Sequence, residues 1–193
     1  MTSLSVLELL KQRIRPASSA PASENGGQPE AAVAIIIDPK NQGGSLLLIR
    51  RREREDDPWS GQVAFPGGHR SLQDRDLLET AVREASEEVG INLEEHEMLG
   101  VLSNAYSRTR RILVTAFVFQ LKSDVAIGLN QEVAESFWVP LGDLSRIAST
   151  KSEVFAQNSR LLVDSYVYDG HVIWGLTFRI VNTLLDRPQV DMV

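Results

Sequence analysis

Apolar positions along the chain switch between helical and extended spacing, and the switches mark out its elements. Residues 4–14 place Leu7, Leu10 and Ile14 at helical spacing with Glu8, Lys11 and Arg13 between them, which predicts a short docking helix. Residues 16–29 are rich in Pro, Ser, Ala and Gly, have little to bury and read as a linker. Residues 32–37 and 45–49 are apolar and β-branched, and residues 38–44 between them carry the Asp, Pro, Asn and Gly of a turn. Residues 50–57 are dense in charge, residues 58–61 read as a loop, and residues 62–65 form a short strand ending at Pro66-Gly-Gly68. Helical spacing returns over residues 76–89, where Leu78, Val82, Ala85 and Val89 form one stripe and Gly90 ends the helix. Strands are expected over 98–102, 112–121 and 135–139, a hairpin over 167–173 around Asp169-Gly170, and a closing helix over 174–185. Strands and helices mixed at irregular intervals, with no internal repeat, predict an α/β fold built on a mixed sheet with helices on its faces. The expected organisation is a helix and linker over residues 1–29 and one folded domain over residues 30–193.

Composition narrows the function classes. At 193 residues the chain is long enough to bury a proper core, and 42% apolar with 24% charged residues is globular usage. Twenty Lys+Arg against 26 Asp+Glu leave a net charge of −6, which argues against nucleic acid as a partner. The absence of cysteine removes disulfides, thiolate zinc sites and cysteine nucleophiles together. No apolar run approaches the ~20 residues of a membrane helix, so no membrane partner is expected. The N-terminal apolar segment is short and interrupted by Glu8, unlike a secretory signal or a presequence. Val190-Asp-Met-Val193 is neither a peroxisomal signal nor a lipidation box, and a cytoplasmic location is expected. The N-terminal helix packs on its own domain or on a second subunit, which keeps a homodimer open.

The informative stretch is Arg83-Glu-Ala-Ser-Glu-Glu-Val-Gly90. On a helix, Glu84, Glu87 and Glu88 fall within an arc of about 100°, with the apolar stripe centred roughly 130° away. Like charges at these spacings repel by about a few tenths of a kcal/mol per pair on an exposed helix. Such a triplet is either a solvated acidic face or a seat for a hard divalent cation with oxygen ligands. Upstream, Gly67 and Gly68 let the backbone turn sharply and approach a ligand with no side chain in the way.

Together these residues resemble the box of the Nudix family, G-x5-E-x7-R-E-U-x-E-E-x-G-U with U aliphatic. Arg83-Glu84, Ala85, Glu87-Glu88, Gly90 and Ile91 fit its second half. With one extra loop residue, Gly68 becomes the box glycine and Asp74 stands where the box has its first glutamate. Three further segments are similar to the coenzyme A pyrophosphatase branch. They are Leu46-Leu-Leu-Ile-Arg50 with Gly61-Gln-Val-Ala-Phe-Pro-Gly-Gly68, then Gln131-Glu-Val-Ala-Glu-Ser-Phe-Trp-Val-Pro140, and Ile173-Trp-Gly-Leu-Thr-Phe-Arg-Ile180. The resemblance covers residues 32–185. It departs at Arg51, where the branch has Ser, and at the run Asp56-Asp-Pro-Trp-Ser60, where it has a His before the Gly.

The resemblance implies an α/β/α sandwich with a mixed β-sheet between helices. It implies hydrolysis of a pyrophosphate bond in a nucleoside diphosphate linked to another group by water, with Mg2+ or Mn2+ as cofactor. Glu84, Glu87 and Glu88 are then the metal ligands, Glu84 also a candidate base, and Arg83 the residue that orients them. Glu132 is preferred to Glu135 as a further candidate base. Arg50, Gly67, Gly68 and Trp59 are the candidate substrate contacts. His69, His96 and His171 show no ligand spacing and read as bystanders, with His69 nearest the site. Coenzyme A or a derivative is the leading substrate; ADP-ribose, a dinucleotide or a nucleoside triphosphate is the alternative, and a non-catalytic binding module the alternative of another class.

Overall fold

A mixed sheet runs through the middle of the molecule, with apolar clusters on both faces. The computed structural model describes residues 6–20, 30–40, 43–54, 60–107, 112–156 and 159–187. In chain order the elements are α1 (Val6–Lys11), β1 (Glu30–Asp38), β2 (Ser45–Arg51), β3 (Val63–Ala64), β4 (Gly67–His69) and α2 (Leu77–Val89). They continue with β5 (Glu97–Ser107), β6 (Ile112–Gln120), β7 (Val133–Pro140), α3 (Leu141–Arg146), β8 (Thr150–Ala156), β9 (Ser159–Tyr168), β10 (His171–Trp174) and α4 (Gly175–Leu185).

The larger sheet has the order β3-β2-β1-β6-β5, with β4 added to β1 and β7 to β2. β1 runs parallel to β6 and antiparallel to β2 and β4, so the sheet is mixed as expected. Its central strands are apolar almost throughout because both faces are covered: Ile35, Ile37, Leu46 and Leu48 point one way, Ala34, Ile36, Leu47 and Ile49 the other. α2 covers the second face through Leu77, Ala81, Ala85 and Val89. Leu144 of α3 and Phe178, Val181 and Leu184 of α4 cover the first. Leu10 of α1 is 1% exposed within that same cluster, so the N-terminal helix docks on its own chain. Arg15 carries this docking onward by pairing its backbone with Val101.

The Asp169-Gly170 hairpin forms as predicted between β9 and β10, and together with β8 these make a second, three-stranded sheet. β4, α3, β8 and most of β9 were not foreseen from the pattern of residues, and β5 extends five residues beyond the expected 98–102. No helix among the described residues is long and apolar enough to cross a membrane.

Candidate active site

The acidic residues collect where β4 leads through a loop into α2. Asp76 caps that helix by accepting the Glu79 N–H at 2.9 Å, and Gly90 closes it in the left-handed conformation at φ +71°. Gly67 is required by β1, because a Cβ there would lie 2.6 Å from the Val33 Cα. Its N–H donates to Glu88 Oε2 at 2.9 Å. Gly68 is required by the site itself: a Cβ there would lie 2.5 Å from the carboxyl carbon of Glu84. The paired glycines thus admit two carboxylates as well as leaving room for a ligand.

The three glutamates, expected together on one arc away from the apolar stripe, differ in exposure, and Glu88 departs from that expectation. The buried side of α2 is Leu77, Thr80, Ala81, Ala85, Glu88 and Val89, so Glu88 lies among the core positions. Leu78 and Val82, expected in the buried stripe, are only partly covered. The Glu88 side chain is 3% exposed, that of Glu84 16%, and that of Glu87 54%. Burial pushes the Glu88 carboxyl up to about 7, against the opposing pull of the Gly67 N–H. The negative charges of Glu84 and Glu132 push it further, and Arg51, 4.0 Å away, resists. Burial likewise raises Glu84; Arg83 opposes, and the charges of Glu87 and Glu132 add to the rise.

Arg83 organises the acids. Its Nε and Nη2 donate to the two Asp74 oxygens at 3.0 Å each. Its Nη1 lies 2.9 Å from Glu84 Oε1 and donates to Glu87 Oε2 at 3.0 Å, while Nη2 also donates to the His69 carbonyl at 3.2 Å. Asp74 is itself fixed by the Ser71 N–H at 2.8 Å and the Thr80 hydroxyl at 2.9 Å. Hydrogen bonding from Arg83 holds the Asp74 carboxyl down at about 2 in spite of its burial, and the same bond raises Arg83 above the usual guanidinium range.

The two other candidate acids separate. Glu132 precedes β7, lies 3.8 Å from Arg54 and raises both Glu84 and Glu88, which puts it in the electrostatic reach of the cluster. Glu135 faces Arg50 across the β2–β7 register, accepts from Arg50 Nε and meets His171 Nε2 at 3.0 Å. Arg50, then His171, hold its carboxyl below the ordinary range. These residues line a cleft of about 520 Å3 with Gly61, Gln62, Val63, Phe155, Asp169 and Trp174. Arg50 is therefore on a cleft, but already paired. Trp59 lies outside the described residues. His171, expected as a bystander, bonds Glu135 and stacks on Phe137 with ring centroids 4.0 Å apart. His96 is structural: its Nδ1 accepts the Lys122 N–H.

Among the described residues no three His, Asp or Glu side chains converge into a ready-made metal cage. Arg83 draws Glu84 and Glu87 toward itself, while Gly67 holds Glu88. The donor set still fits a hard divalent cation: all its atoms are carboxylate oxygens, and Glu84 and Glu88 are both raised, first by burial and then by the charges of neighbouring glutamates.

The family model of the NUDIX domain matches residues 27–158. The chain belongs to the Nudix family. An uncharacterised Nudix hydrolase named NudL from Photorhabdus laumondii is 38% identical over 133 residues, 68% of this chain and 71% of the relative. NudL of Pectobacterium atrosepticum is 38% identical over 137 residues, 67% of this chain and 70% of the relative. Among solved structures, a MutT/nudix family protein from Enterococcus faecalis aligns with TM-score 0.55 at 13% identity, covering 88% of this chain and 65% of that one, a likeness of fold. This Nudix hydrolase acts on a nucleoside diphosphate linked to another moiety, and divalent metals such as Mg2+ or Mn2+ serve the family generally.

Proposed function

We propose that this Nudix hydrolase cleaves the pyrophosphate bond of coenzyme A or a derivative, with Mg2+ or Mn2+ held by Glu84, Glu87 and Glu88. One observation carries the substrate. The three segments outside the box that resemble the coenzyme A pyrophosphatase branch all reach the same cleft, through Arg50, Gly61, Gln62 and Val63, through Glu135, and through Trp174. When bound, the cation supplies a more acidic water and offsets charge developing on the phosphate oxygens. Glu84 and Glu132 are the candidate bases for that water. Glu84 is held against Gly68 and Arg83; Glu132 acts from just ahead of β7. The Gly68 backbone and Arg50 are the candidate contacts to the diphosphate, and Arg83 keeps the carboxylates aimed.

Arg51 favours a second reading. It stands where the branch has Ser and extends to within 4.0 Å of Glu88, beside the carboxylates, so it adds a cation where the substrate reacts. The departure from the branch's Ser, and not the added charge, which the diphosphate of coenzyme A would meet equally, keeps ADP-ribose, a dinucleotide or a nucleoside triphosphate as the second reading. Incubation with Mg2+ or Mn2+ and a panel of coenzyme A, ADP-ribose, NADH, diadenosine polyphosphates and nucleoside triphosphates tests the choice. Release of 3′,5′-ADP and 4′-phosphopantetheine from coenzyme A, faster than cleavage of any other member, is the expected result. Faster turnover of another member would replace coenzyme A as the substrate.

A further inference from the structure

The turn that carries Glu132 is tied down on both sides. Before it, the Gly128 N–H donates to the Val89 carbonyl at 3.0 Å and the Asn130 N–H to the Glu88 carbonyl at 3.3 Å, which laces the segment to the C-terminal end of α2. Gly90 makes room for this approach, since a Cβ there would lie 3.2 Å from the Gly128 nitrogen. Across from it, Arg52, the residue after β2, donates its backbone N–H to the Glu132 carbonyl at 2.7 Å. The Arg52 guanidinium donates to the carbonyls on either side, Nε to Gln131 at 3.0 Å and Nη2 to Val133 at 3.3 Å. Glu132 is thereby fastened both to the helix that bears Glu84, Glu87 and Glu88 and to the end of the strand that bears Arg50 and Arg51.

Asn130 holds the turn from inside. Its Oδ1 accepts the Glu132 N–H at 2.8 Å and the Val133 N–H at 3.2 Å. The first bond is an Asx turn, which sets the backbone of Glu132 from two residues away. The second carries the hold into the first residue of β7. The Glu132 side chain is half exposed, with Arg54 3.8 Å away, so packing does little to place its carboxylate and the backbone beneath it has to. Its charge is nevertheless felt by both Glu84 and Glu88.

We propose that Asn130 is a positioning residue for the reaction: its side chain fixes the turn that presents Glu132 to the glutamates of α2, with Arg52 bracing the same turn from β2. This rests on reading Glu132 as a base for the attacking water.

The test combines two readouts on the full chain. Amide hydrogen exchange needs neither metal nor substrate. In Asn130→Ala the Glu132 and Val133 N–H groups should exchange about tenfold faster than in the parent, with the amides of β1 unchanged. Turnover of the panel member cleaved fastest with Mn2+ is then compared in the parent, Asn130→Ala, Glu132→Gln and the double variant. Asn130→Ala should lower kcat about tenfold and leave KM within about twofold, as expected when a reacting group is displaced. Asn130→Ser, whose hydroxyl accepts the same kind of bond more weakly, should recover most of that loss. On top of Glu132→Gln, Asn130→Ala should cost nothing further, because the carboxylate it places is gone. Unchanged exchange in Asn130→Ala, unchanged kcat, or a loss repeated in full in the double variant each overturns the proposal and leaves Glu132 as the base. A Glu132→Gln variant as fast as the parent removes the base and the proposal together, and so does a panel with no member cleaved.

Discussion

The Cα of Gly68 is packed directly against the carboxyl of Glu84: a Cβ added there would lie 2.5 Å from the carboxyl carbon and 2.8 Å from Oε2. The box glycine is thus a spacing device for a candidate metal ligand and base. Gly68→Ala should push Glu84 aside while leaving the core intact. Turnover should fall by about 100-fold, the usual consequence of misplacing a reacting group by about 1 Å. Melting temperature should change little. Activity within a factor of three of the parent would show that Glu84 has no fixed working position.

Asp74 holds Arg83 through both of its carboxylate oxygens, and it is buried with only 3% of its side chain exposed. Asp74→Ala removes that grip and leaves Arg83 to the glutamates alone. The expected loss is about 2 kcal/mol, which for a chain of this size lowers the melting temperature by about 4–8 °C. The folded-state carboxyl sits at about 2, below its ordinary 3.8, so its stabilisation is present above pH 3.8 and disappears as pH falls through 2. The variant should therefore lose the parent's stability rise across that window, as read by denaturant titration at several pH values.

Glu88 has the opposite sign. Its folded-state carboxyl is raised from 4.5 to about 7, so stability of the metal-free protein is greatest below pH 4.5 in this respect and declines as pH climbs through 7. Glu88→Gln should flatten that decline, stabilising the metal-free protein at pH 8 by up to about 3 kcal/mol. Added Mn2+ should stabilise the parent more at pH 8 than at pH 6, because the proton and the cation compete for the carboxylate. Thermal melts with chelator and with Mn2+ at both pH values provide the measurement.

Glu132 and Glu135 should respond differently. Glu132→Gln removes a charge within reach of Glu84 and Glu88, and should lower kcat by about 100-fold or more if it takes the water's proton. Glu135→Gln frees Arg50 and His171 in the cleft and should act mainly on KM. Equal effects on kcat from both variants would count against the separation.

Much of the site could be read from local sequence because its parts are local. The helix cap at Asp76, the stop at Gly90 and the glutamate spacing all lie within one helix and its ends. Asp74 and Arg83 lie nine residues apart, joined by the loop and the first turns of the helix. The burial of Glu88 is not legible in the sequence, because it depends on β4 packing against the helix, and a Gly-Gly-His strand has no strand propensity of its own. It forms because β1 offers an edge to pair with. The β8–β9 hairpin was missed for a related reason: Lys151, Glu153, Phe155 and Leu162 give it no clean inward-facing pattern. The His171–Glu135 contact joins residues 36 apart through tertiary packing, which no spacing rule signals.

The central claim is that the glutamates beside Gly67 and Gly68 carry out metal-dependent hydrolysis of a diphosphate bond. Its most direct test is turnover of the preferred panel member by the parent and by Glu84→Gln, with Mn2+ and with chelator, both proteins confirmed folded. The account predicts cleavage by the parent only with the metal and a loss of about 1,000-fold or more in the variant. Cleavage that survives chelation, or a variant as active as the parent, would contradict it.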